Sequence, residues 1–237
     1  MSKSLFSIAL AAGVLLTAAC DDASRLGGPN AINGPSAIDG ISTESSNVAV
    51  LANAAVTCTG GIITGSVGTF QASPAGSVTQ TGCSVTGALN LGDEIAQQAW
   101  SDFLNTYAAL APQTDDVCTN LTGTLAGVTL APGLYCFGGA ATATGLLTLD
   151  GPSDGIWTFK VGTGGTGAIT GTGFQVVLAN GAQASNVTWR VSDAATFTSS
   201  DFQGNLLTGA AITMTGGSFK GIIRAQADVT ITGTTIN

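Results

Sequence analysis

The chain has 237 residues, of which 44% are hydrophobic, 34 are glycines and only 8% are charged, with a formal net charge of −8. This length and composition predict one domain with a substantial core, and they resemble neither a disordered chain nor an enzyme with a charge-covered surface. Binding to nucleic acid is not expected, because no run of basic residues is present to contact a phosphate backbone.

Residues 1–19 have the features of a secretory signal peptide. One lysine precedes an apolar run from Leu5 to Leu16, and small residues follow this run. The run is shorter than a membrane-spanning helix. The mature protein is therefore expected to be exported.

Two processing routes are open at Cys20. The sequence Leu-Thr-Ala-Ala-Cys resembles a lipoprotein signal, in which the cysteine receives a lipid and becomes the new N-terminus, although Leu16 lies one position farther from the cysteine than is usual. Ordinary cleavage after Ala19 is the alternative. A lipid on Cys20 would anchor the protein in a membrane of the cell envelope, whereas cleavage alone would release it.

The cysteine count favours the lipid, because the chain has five cysteines and a lipidated Cys20 leaves four that can pair. In an exported protein such cysteines form disulfides by default. Proximity in the sequence favours Cys58 with Cys83 and Cys118 with Cys136 among the three connectivities. The spacing of these cysteines does not fit a zinc site, and the chain has no histidine, so no metal or other cofactor is expected.

Residues 20–44 are rich in glycine, proline and polar side chains and are predicted to be a tether. The folded domain is predicted to span residues 45–237. It opens with a loose repeat that has a 22-residue step, in which Thr57 and Thr59 align with Thr79 and Thr81.

One α-helix is predicted at about residues 93–111. Asp93 can accept hydrogen bonds from the free amides of the first turn, and Pro112 ends the segment. Apolar side chains recur every three or four residues and form one stripe, which is expected to pack along the outside of the β region: Ala96, Ala99, Trp100, Phe103, Leu104, Tyr107 and Ala111. A membrane-surface helix is disfavoured, because the polar face has acidic residues and no lysine or arginine.

Short runs of β-branched and aromatic residues follow the helix, each bounded by Gly, Asn or Pro, and they predict strands of four to six residues. A 17-residue repeat closes the chain. Its aligned positions are Thr196, Thr213 and Thr230; Thr198, Thr215 and Thr232; Phe202, Phe219 and Ile236. A fixed period of this kind indicates a solenoid, and 17 residues suit a coil of three strands and three turns, which predicts a triangular β-helix.

The paired threonines of each repeat are predicted to point away from the core. Successive side chains of a strand point to opposite sides, so Phe197, Met214 and Ile231 are expected to face inward and the flanking threonines outward. Threonine is a good residue for an exposed strand, but ordinary exposed strands also include Lys and Glu. No charge enters these columns, which indicates a function for a surface of methyls and hydroxyls.

The sequence resembles the bacterial and fungal ice-binding proteins built on a discontinuous right-handed β-helix with one α-helix alongside. Residues 45–237 carry the resemblance, through the helix sequence, the segments VTLAPGLYCF, GLLTLDG, IWTFKVG and VVLANGAQASNVTWRV, and the closing repeats, in the order of the family. It implies a monomeric protein without catalysis that adsorbs to the surface of ice crystals and inhibits their growth and recrystallisation.

In that family the ice-binding surface is one flat face of the β-helix with neighbouring turns, sometimes with a Thr-Ala/Gly-X-Thr/Asn motif. The motif is complete at Thr232–Thr235 and lacks only its last residue at Thr215–Ser218, whereas Thr198–Asp201 departs at two positions and introduces a carboxylate. The resemblance and the repeats together predict these ice-binding residues: Thr59, Thr81, Thr196, Thr198, Thr213, Thr215, Ser218, Thr230, Thr232 and Thr235.

Two other functions fit the sequence less well. A polysaccharide-processing β-helix enzyme needs clustered carboxylates with a basic residue, whereas most charged residues here are expected to be solvated turn residues without partners in the repeat register: Asp150, Asp154, Lys160, Arg190, Asp193, Asp201, Lys220, Arg224 and Asp228. A cell-surface adhesin or carbohydrate-binding module needs exposed aromatic side chains, but Trp100, Trp157 and Trp189 are expected to pack in apolar environments.

Overall fold

The computed structural model describes residues 47–237, so Cys20, the predicted signal peptide and the predicted tether lie outside the described residues. The elements of this part are one α-helix, α1 (Glu94–Ala109), one short 3₁₀ turn (Ala184–Asn186) and twenty strands. The strands are β1 (Val48–Ala52), β2 (Ala55–Thr59), β3 (Ile62–Ile63), β4 (Ser66–Thr69), β5 (Ser77–Thr81), β6 (Ser84–Val85), β7 (Leu89–Leu91), β8 (Thr119–Asn120), β9 (Val128–Leu130), β10 (Gly133–Phe137), β11 (Ala141–Asp150), β12 (Trp157–Val161), β13 (Ile169–Ala179), β14 (Val187–Val191), β15 (Ala195–Gln203), β16 (Asn205–Thr208), β17 (Ile212–Lys220), β18 (Ile223–Ala225), β19 (Val229–Thr232) and β20 (Thr235–Ile236).

The strands pair in parallel and form the three sides of a β-helix, which we name faces A, B and C. Face A has the spatial order β7, β4, β1, β18, β16, β14, β12, β10, β8. Face B consists of β5, β2, β19 and the first halves of β17, β15, β13 and β11. Face C consists of β6, β3, β20, the second halves of the same four long strands, and β9. The predicted three-sided β-helix with one helix alongside is confirmed.

The coils do not stack in chain order. Strand β1 pairs with both β18 and β4, and β2 pairs with both β19 and β5. The first coil of the chain therefore stacks on the last coil, and the second coil stacks on the first. After α1 the chain resumes at β8, which lies at the opposite end of face A. The solenoid is therefore discontinuous: one stack is built from the strands before α1 and the other from those after it.

Each coil turns from face B to face C at a residue with left-handed backbone conformation. Six of these residues are glycines with φ between 57° and 65°, and the seventh is Ser199 with φ 48°. Glycine adopts this conformation without steric cost, whereas a residue with a Cβ pays about 1–2 kcal/mol. The six glycines are Gly60, Gly82, Gly145, Gly173, Gly216 and Gly233.

Large apolar and aromatic side chains fill the interior of the β-helix. On the inner side of face A, Phe159 stacks on Trp189 with ring centroids 3.7 Å apart, and Tyr135 stacks on Phe159 at 5.4 Å. On the inner side of face C, Phe202 stacks on Phe219 at 5.2 Å. Trp157 and Trp189 are completely buried, which confirms their predicted place in the core.

Helix α1 packs its apolar stripe on the outer side of face A, except for Leu104, which was expected in the stripe and is 38% exposed. The Asp93 carboxylate accepts a hydrogen bond from the amide of Ala96 at 2.9 Å, as its predicted role at the start of the helix requires. A second hydrophobic cluster joins the helix to the sheet and consists of Val48, Leu51, Ala96, Ala99, Trp100, Phe103 and Leu207. The helix predicted at 93–111 is confirmed. Within residues 47–237, no helix is long and apolar enough to cross a membrane.

Both predicted disulfides are present. Cys58 bonds to Cys83, with Cα atoms 5.7 Å apart, and Cys118 bonds to Cys136, with Cα atoms 5.6 Å apart. The first disulfide joins β2 to the turn after β5, in the coil at one end of the solenoid. The second joins the segment before β8 to β10 near the opposite end.

Candidate functional site

Face B carries two columns of threonines that run through seven coils in register; we name this array the threonine ladder. Adjacent strands place threonine beside threonine at every step in both columns. In spatial order the seven rows are Thr79 and Thr81, Thr57 and Thr59, Thr230 and Thr232, Thr213 and Thr215, Thr196 and Thr198, Thr170 and Thr172, Thr142 and Thr144. Thr124 bridges to Thr142 and continues the first column beyond the last full row.

The ladder is longer than the sequence repeat predicts. The predicted residues Thr59, Thr81, Thr196, Thr198, Thr213, Thr215, Thr230 and Thr232 all lie in it, whereas the rows of β11 and β13 were missed. Gln175 lies 26 residues before its neighbour Asp201, while Asp201 lies 17 residues before Ser218, so longer connections hide the period in the earlier coils. A local signal was available, because six rows read Thr-X-Thr-Gly and the seventh reads Thr-Phe-Thr-Ser.

In the rows of β15, β17 and β19, the residues between the two columns point into the core and fix the outward direction of the threonines. Phe197, Met214 and Ile231 are 3%, 2% and 0% exposed, as predicted. At the equivalent position of β13 stands Gly171, where an added Cβ would lie 2.4 Å from the Phe197 ring. The glycine therefore makes room for a large aromatic residue beneath the ladder.

The ladder offers hydroxyls and methyls and no charge. All fourteen threonines are exposed or half-buried. Each lies in a described strand, and none of their hydroxyls is engaged in a hydrogen bond with another protein group, in contrast to buried Thr208 and Thr234, whose hydroxyls donate to backbone carbonyls. The ladder hydroxyls are therefore available to bind water.

Ser218 and Thr235, also predicted as site residues, lie across the corner in the first outward column of face C. They are neighbours of Asp201 and Ile62 respectively. The Ser218 hydroxyl donates to Oδ1 of Asp201 at 2.8 Å, and Gln175 Nε2 donates to Oδ2 at 3.4 Å. Both oxygens of the carboxylate thus have partners within face C rather than on the ladder.

Face C differs from face B in its side chains. Its outward positions include Asp201, Lys220 and three apolar residues that are 42–48% exposed, namely Leu146, Val177 and Ile62. Side chains of different length, charge and polarity alternate on this face. It therefore lacks the repeated chemistry of the threonine ladder.

Face A is covered by α1, and it holds three buried cations that the sequence led us to expect in solvated turns. Lys160 Nζ is 2.6 Å from Oδ2 of Asp116 and donates to the carbonyl of Ala111 at 3.2 Å. Arg190 lies 4.3 Å from the centre of the Tyr107 ring. That expectation was wrong for Lys160, Arg190 and Arg224, because they form one outward column of face A that the helix and the segment after it bury.

Burial and local charges shift the pKa values of groups under the helix. Burial lowers the pKa of Arg224 to about 10, and the nearby Asp102 opposes this change, so the guanidinium is charged at neutral pH. Burial raises the pKa of Tyr107, while Arg190 lowers it. For Asp116, burial opposes ionisation, but hydrogen bonds from Gln113 and Lys160 and the Lys160 charge together lower its pKa. These groups lie on the outer side of face A and are remote from face B.

The sequence is similar to those of proteins named ice-binding proteins. A relative from Nostoc sp. (strain HG1), named ice-binding protein, is 37% identical over 180 residues, which cover 71% of this chain and 62% of the relative. The relative from Typhula ishikariensis named ice-binding protein K3-B1 is 32% identical over 192 residues, covering 71% and 76% of the two chains. The match thus spans less than two thirds of the Nostoc protein.

Solved structures that resemble this chain are also those of ice-binding proteins. The structure of an ice-binding protein from an Antarctic biological consortium superposes with a TM-score of 0.73 at 32% identity, covering 83% of this chain and 90% of that chain. An ice-binding protein from Antarctomyces psychrotrophicus gives 0.71 at 31% identity, covering 81% and 95%. A family model described as ice-binding-like matches residues 50–237. The chain belongs to the ice-binding-like family.

Proposed function

We propose that this protein binds ice through the threonine ladder, as a monomer, and thereby inhibits ice growth and recrystallisation. The observation that carries the proposal is the unbroken register of fourteen uncharged, outward threonines on face B. Membership of the ice-binding-like family supports the activity. The choice of face follows from the contrast with face A, which α1 covers, and face C, which is mixed.

The spacing of the ladder suits a crystalline ligand. Rows are separated by the strand spacing of ~4.8 Å and columns by two residues, about 6.6 Å, so seven rows extend over about 29 Å. Such a two-dimensional array approximates repeats of the ice lattice. The methyl groups order the water next to them, and the free hydroxyls anchor that water by hydrogen bonds.

Rigidity makes many weak contacts effective. Every ladder threonine lies in a parallel strand, and the inner rows have a close-packed core beneath them, so little conformational freedom is lost when the face meets the ice. Adsorbed molecules then force the ice front to bulge between them, which slows growth. The protein needs no reaction to do this, and among residues 47–237 no three His, Cys, Asp or Glu side chains come together as metal ligands.

The experiment that tests the function is growth of a single ice crystal in a solution of purified residues 21–237. We expect faceted growth and a gap between melting and freezing temperature, the thermal hysteresis, larger than that of an inert protein at equal concentration. Round crystals in a folded sample would reject the proposal.

Two variants test the face. Thr215→Tyr places a bulky ring in the middle row and should reduce the thermal hysteresis while circular dichroism and the melting temperature of the protein stay unchanged. Thr64→Tyr is the matched control, because Thr64 is an exposed residue directly after β3 on face C. Equal hysteresis in the two variants would show that face B is not the binding surface.

A carbohydrate-binding adhesin is less well supported. Stacking on sugars needs exposed aromatic rings, and across residues 47–237 every Trp, Tyr and Phe is buried or half-buried.

We further propose that the protein is exported and that Cys20 receives a lipid. Two observations support this proposal. The Leu-Thr-Ala-Ala-Cys segment resembles a lipoprotein signal, and the two disulfides use four of the five cysteines, so Cys20 is the fifth. Expression with the native signal, followed by fractionation and intact-mass measurement, tests this. We expect the wild-type protein in the membrane fraction with the mass of a lipid added at Cys20, and Cys20→Ser in the soluble fraction; an unmodified soluble wild type would contradict lipidation.

A further inference from the structure

The chain enters the β-helix at the corner opposite the threonine ladder. In every coil the chain passes from face A to B to C, and it returns to face A through the corner where C and A meet. Gly65 lies in that corner, between β3 and β4, and a Cβ added to it would lie 3.4 Å from the Asn47 carbonyl oxygen and 3.0 Å from the Ala49 side chain. Asn47 therefore lies at the corner between faces A and C.

The last residue of the sequence lies at the same corner. The amide of Asn237 donates to the carbonyl of Phe219 at 2.8 Å, and the amide of Gly221 donates to the carbonyl of Asn237 at 3.1 Å. Gly221 is the residue by which β17 on face C passes to β18 on face A. Because β1 pairs with β18 and β3 pairs with β20, Asn47 and Asn237 belong to adjacent coils.

In a three-sided solenoid, the corner shared by two faces is opposite the third face. Asn47 and Asn237, the two ends of the described domain, thus lie on the side away from the ladder. The outward threonine columns are therefore clear of both attachment points.

From this placement we propose that the protein functions as an ice adhesin: held at its corner between faces A and C, it fastens the surface that carries it to ice through face B. This inference rests on the proposed ice-binding function and adds to it that binding persists when the protein is attached at a terminus. Many copies on one surface contact one crystal, so their contacts act together and a modest affinity of each copy is enough.

Beads that carry the protein in defined orientations test the proposal. Residues 21–237 are biotinylated at the N-terminus, after Asn237, or at a cysteine introduced as Thr172→Cys in the ladder, and each form is bound to streptavidin beads at equal density. The beads are offered to a slowly advancing ice front, and the fraction incorporated into ice is counted. The N-terminally biotinylated protein is also assayed free in solution for shaping of an ice crystal.

We expect both terminally attached forms to be incorporated and the form attached through the ladder to be rejected to the level of uncoated beads. If the free protein shapes ice but the terminally attached beads are rejected, the adhesin proposal is wrong and ice binding stands. If beads attached at Thr172 are incorporated as well as the others, the ladder is not opposite the attachment side and the proposal is also wrong. If the free protein leaves ice round, the proposed function fails and the adhesin proposal with it.

Discussion

Thr57 lies directly beside Thr230 in face B, although one belongs to the first coil of the chain and the other to the last. The same contact places Thr59 beside Thr232 and allows the Asp228 carboxylate to accept a hydrogen bond from the Ala55 amide at 3.0 Å. The ladder is thus continuous across the break in the chain, and its end rows depend on non-covalent docking of the N-terminal coils.

Rows that the 17-residue repeat does not include should contribute to ice binding. We expect Thr172→Tyr, in the row of β13, to reduce thermal hysteresis about as strongly as Thr215→Tyr, because each ring interrupts the array between two full threonine rows. Thr79→Tyr, in the row at one end, should cause a smaller loss. The measurement is thermal hysteresis over a concentration series, and an unchanged value for Thr172→Tyr would restrict the site to the closing repeats.

Ser199 should be a site for stabilisation. It adopts φ 48° where six other coils have glycine, so Ser199→Gly removes a steric cost of about 1–2 kcal/mol and loses part of that gain to the greater freedom of glycine in the unfolded chain. We expect the free energy of unfolding in denaturant to rise by about 0.5–1 kcal/mol.

Gly216→Ser is the reverse change in the next coil. An added Cβ there would come no closer than 3.7 Å to Ser199 Oγ, so crowding is absent and the cost is the backbone conformation alone. A loss of about 1 kcal/mol is expected. Should both changes act in the same direction, left-handed strain at this corner would not control stability.

The ion pair between Lys160 and Asp116 should make stability depend on pH. The pKa of Asp116 is lower in the folded protein than its usual value of 3.8, so its ionised form favours folding. This contribution is fully present above the unfolded pKa and is lost as the pH falls through the folded pKa.

We therefore expect Asp116→Asn to lower the free energy of unfolding at neutral pH by about 1–2 kcal/mol, because the buried Lys160 loses its carboxylate partner. The difference from wild type should stay constant down to about pH 5, shrink as the pH falls through the unfolded pKa, and vanish only below the lower pKa of Asp116 in the folded protein. Denaturation curves at several pH values measure it. A difference that grows as the pH falls would contradict the assigned role of Asp116.

The two disulfides should have similar effects on stability and different effects on ice binding. Replacing both Cys58 and Cys83 by Ala removes a link across 25 residues, and replacing both Cys118 and Cys136 by Ala removes one across 18. Each double variant should lose about 3 kcal/mol of stability.

Only the first of these changes should reduce thermal hysteresis, because Cys58 lies between Thr57 and Thr59 and its disulfide holds the end rows of the ladder. The Cys118–Cys136 variant is the matched control, since its disulfide joins the segment before β8 to β10 on face A, away from the ladder. Equal hysteresis in the two variants, measured well below their melting temperatures, would show that the end rows are not needed.

Much of the fold could be read from local patterns. The apolar stripe and Asp93 predict α1, and the alternation around Phe197, Met214 and Ile231 predicts which side of each strand faces the core. The pairing of the cysteines follows from their proximity. These features depend on residues near one another in the chain, where backbone geometry alone relates side-chain directions.

The buried cations show where such patterns fail. Lys160, Arg190 and Arg224 have polar side chains on the outward side of face A, and their sequence context resembles that of exposed residues. They are buried because α1 and the segment after it, from another part of the chain, cover that face. Their partners Asp116, Tyr107 and the carbonyl of Ala49 are distant in sequence.

The sequence by itself determined that this chain forms coils with Thr-X-Thr strands, because side-chain alternation and the preference of left-handed corners for glycine are local properties. Only the tertiary structure decided that the rows join into one ladder of seven. Corner connections can lengthen without changing the coil, so spacing in the sequence does not report register in space. The N-terminal coils dock on the last coil because the end of a stack has unpaired backbone N–H and C=O groups and an uncovered apolar core. Another parallel coil forms hydrogen bonds with those groups and covers the core.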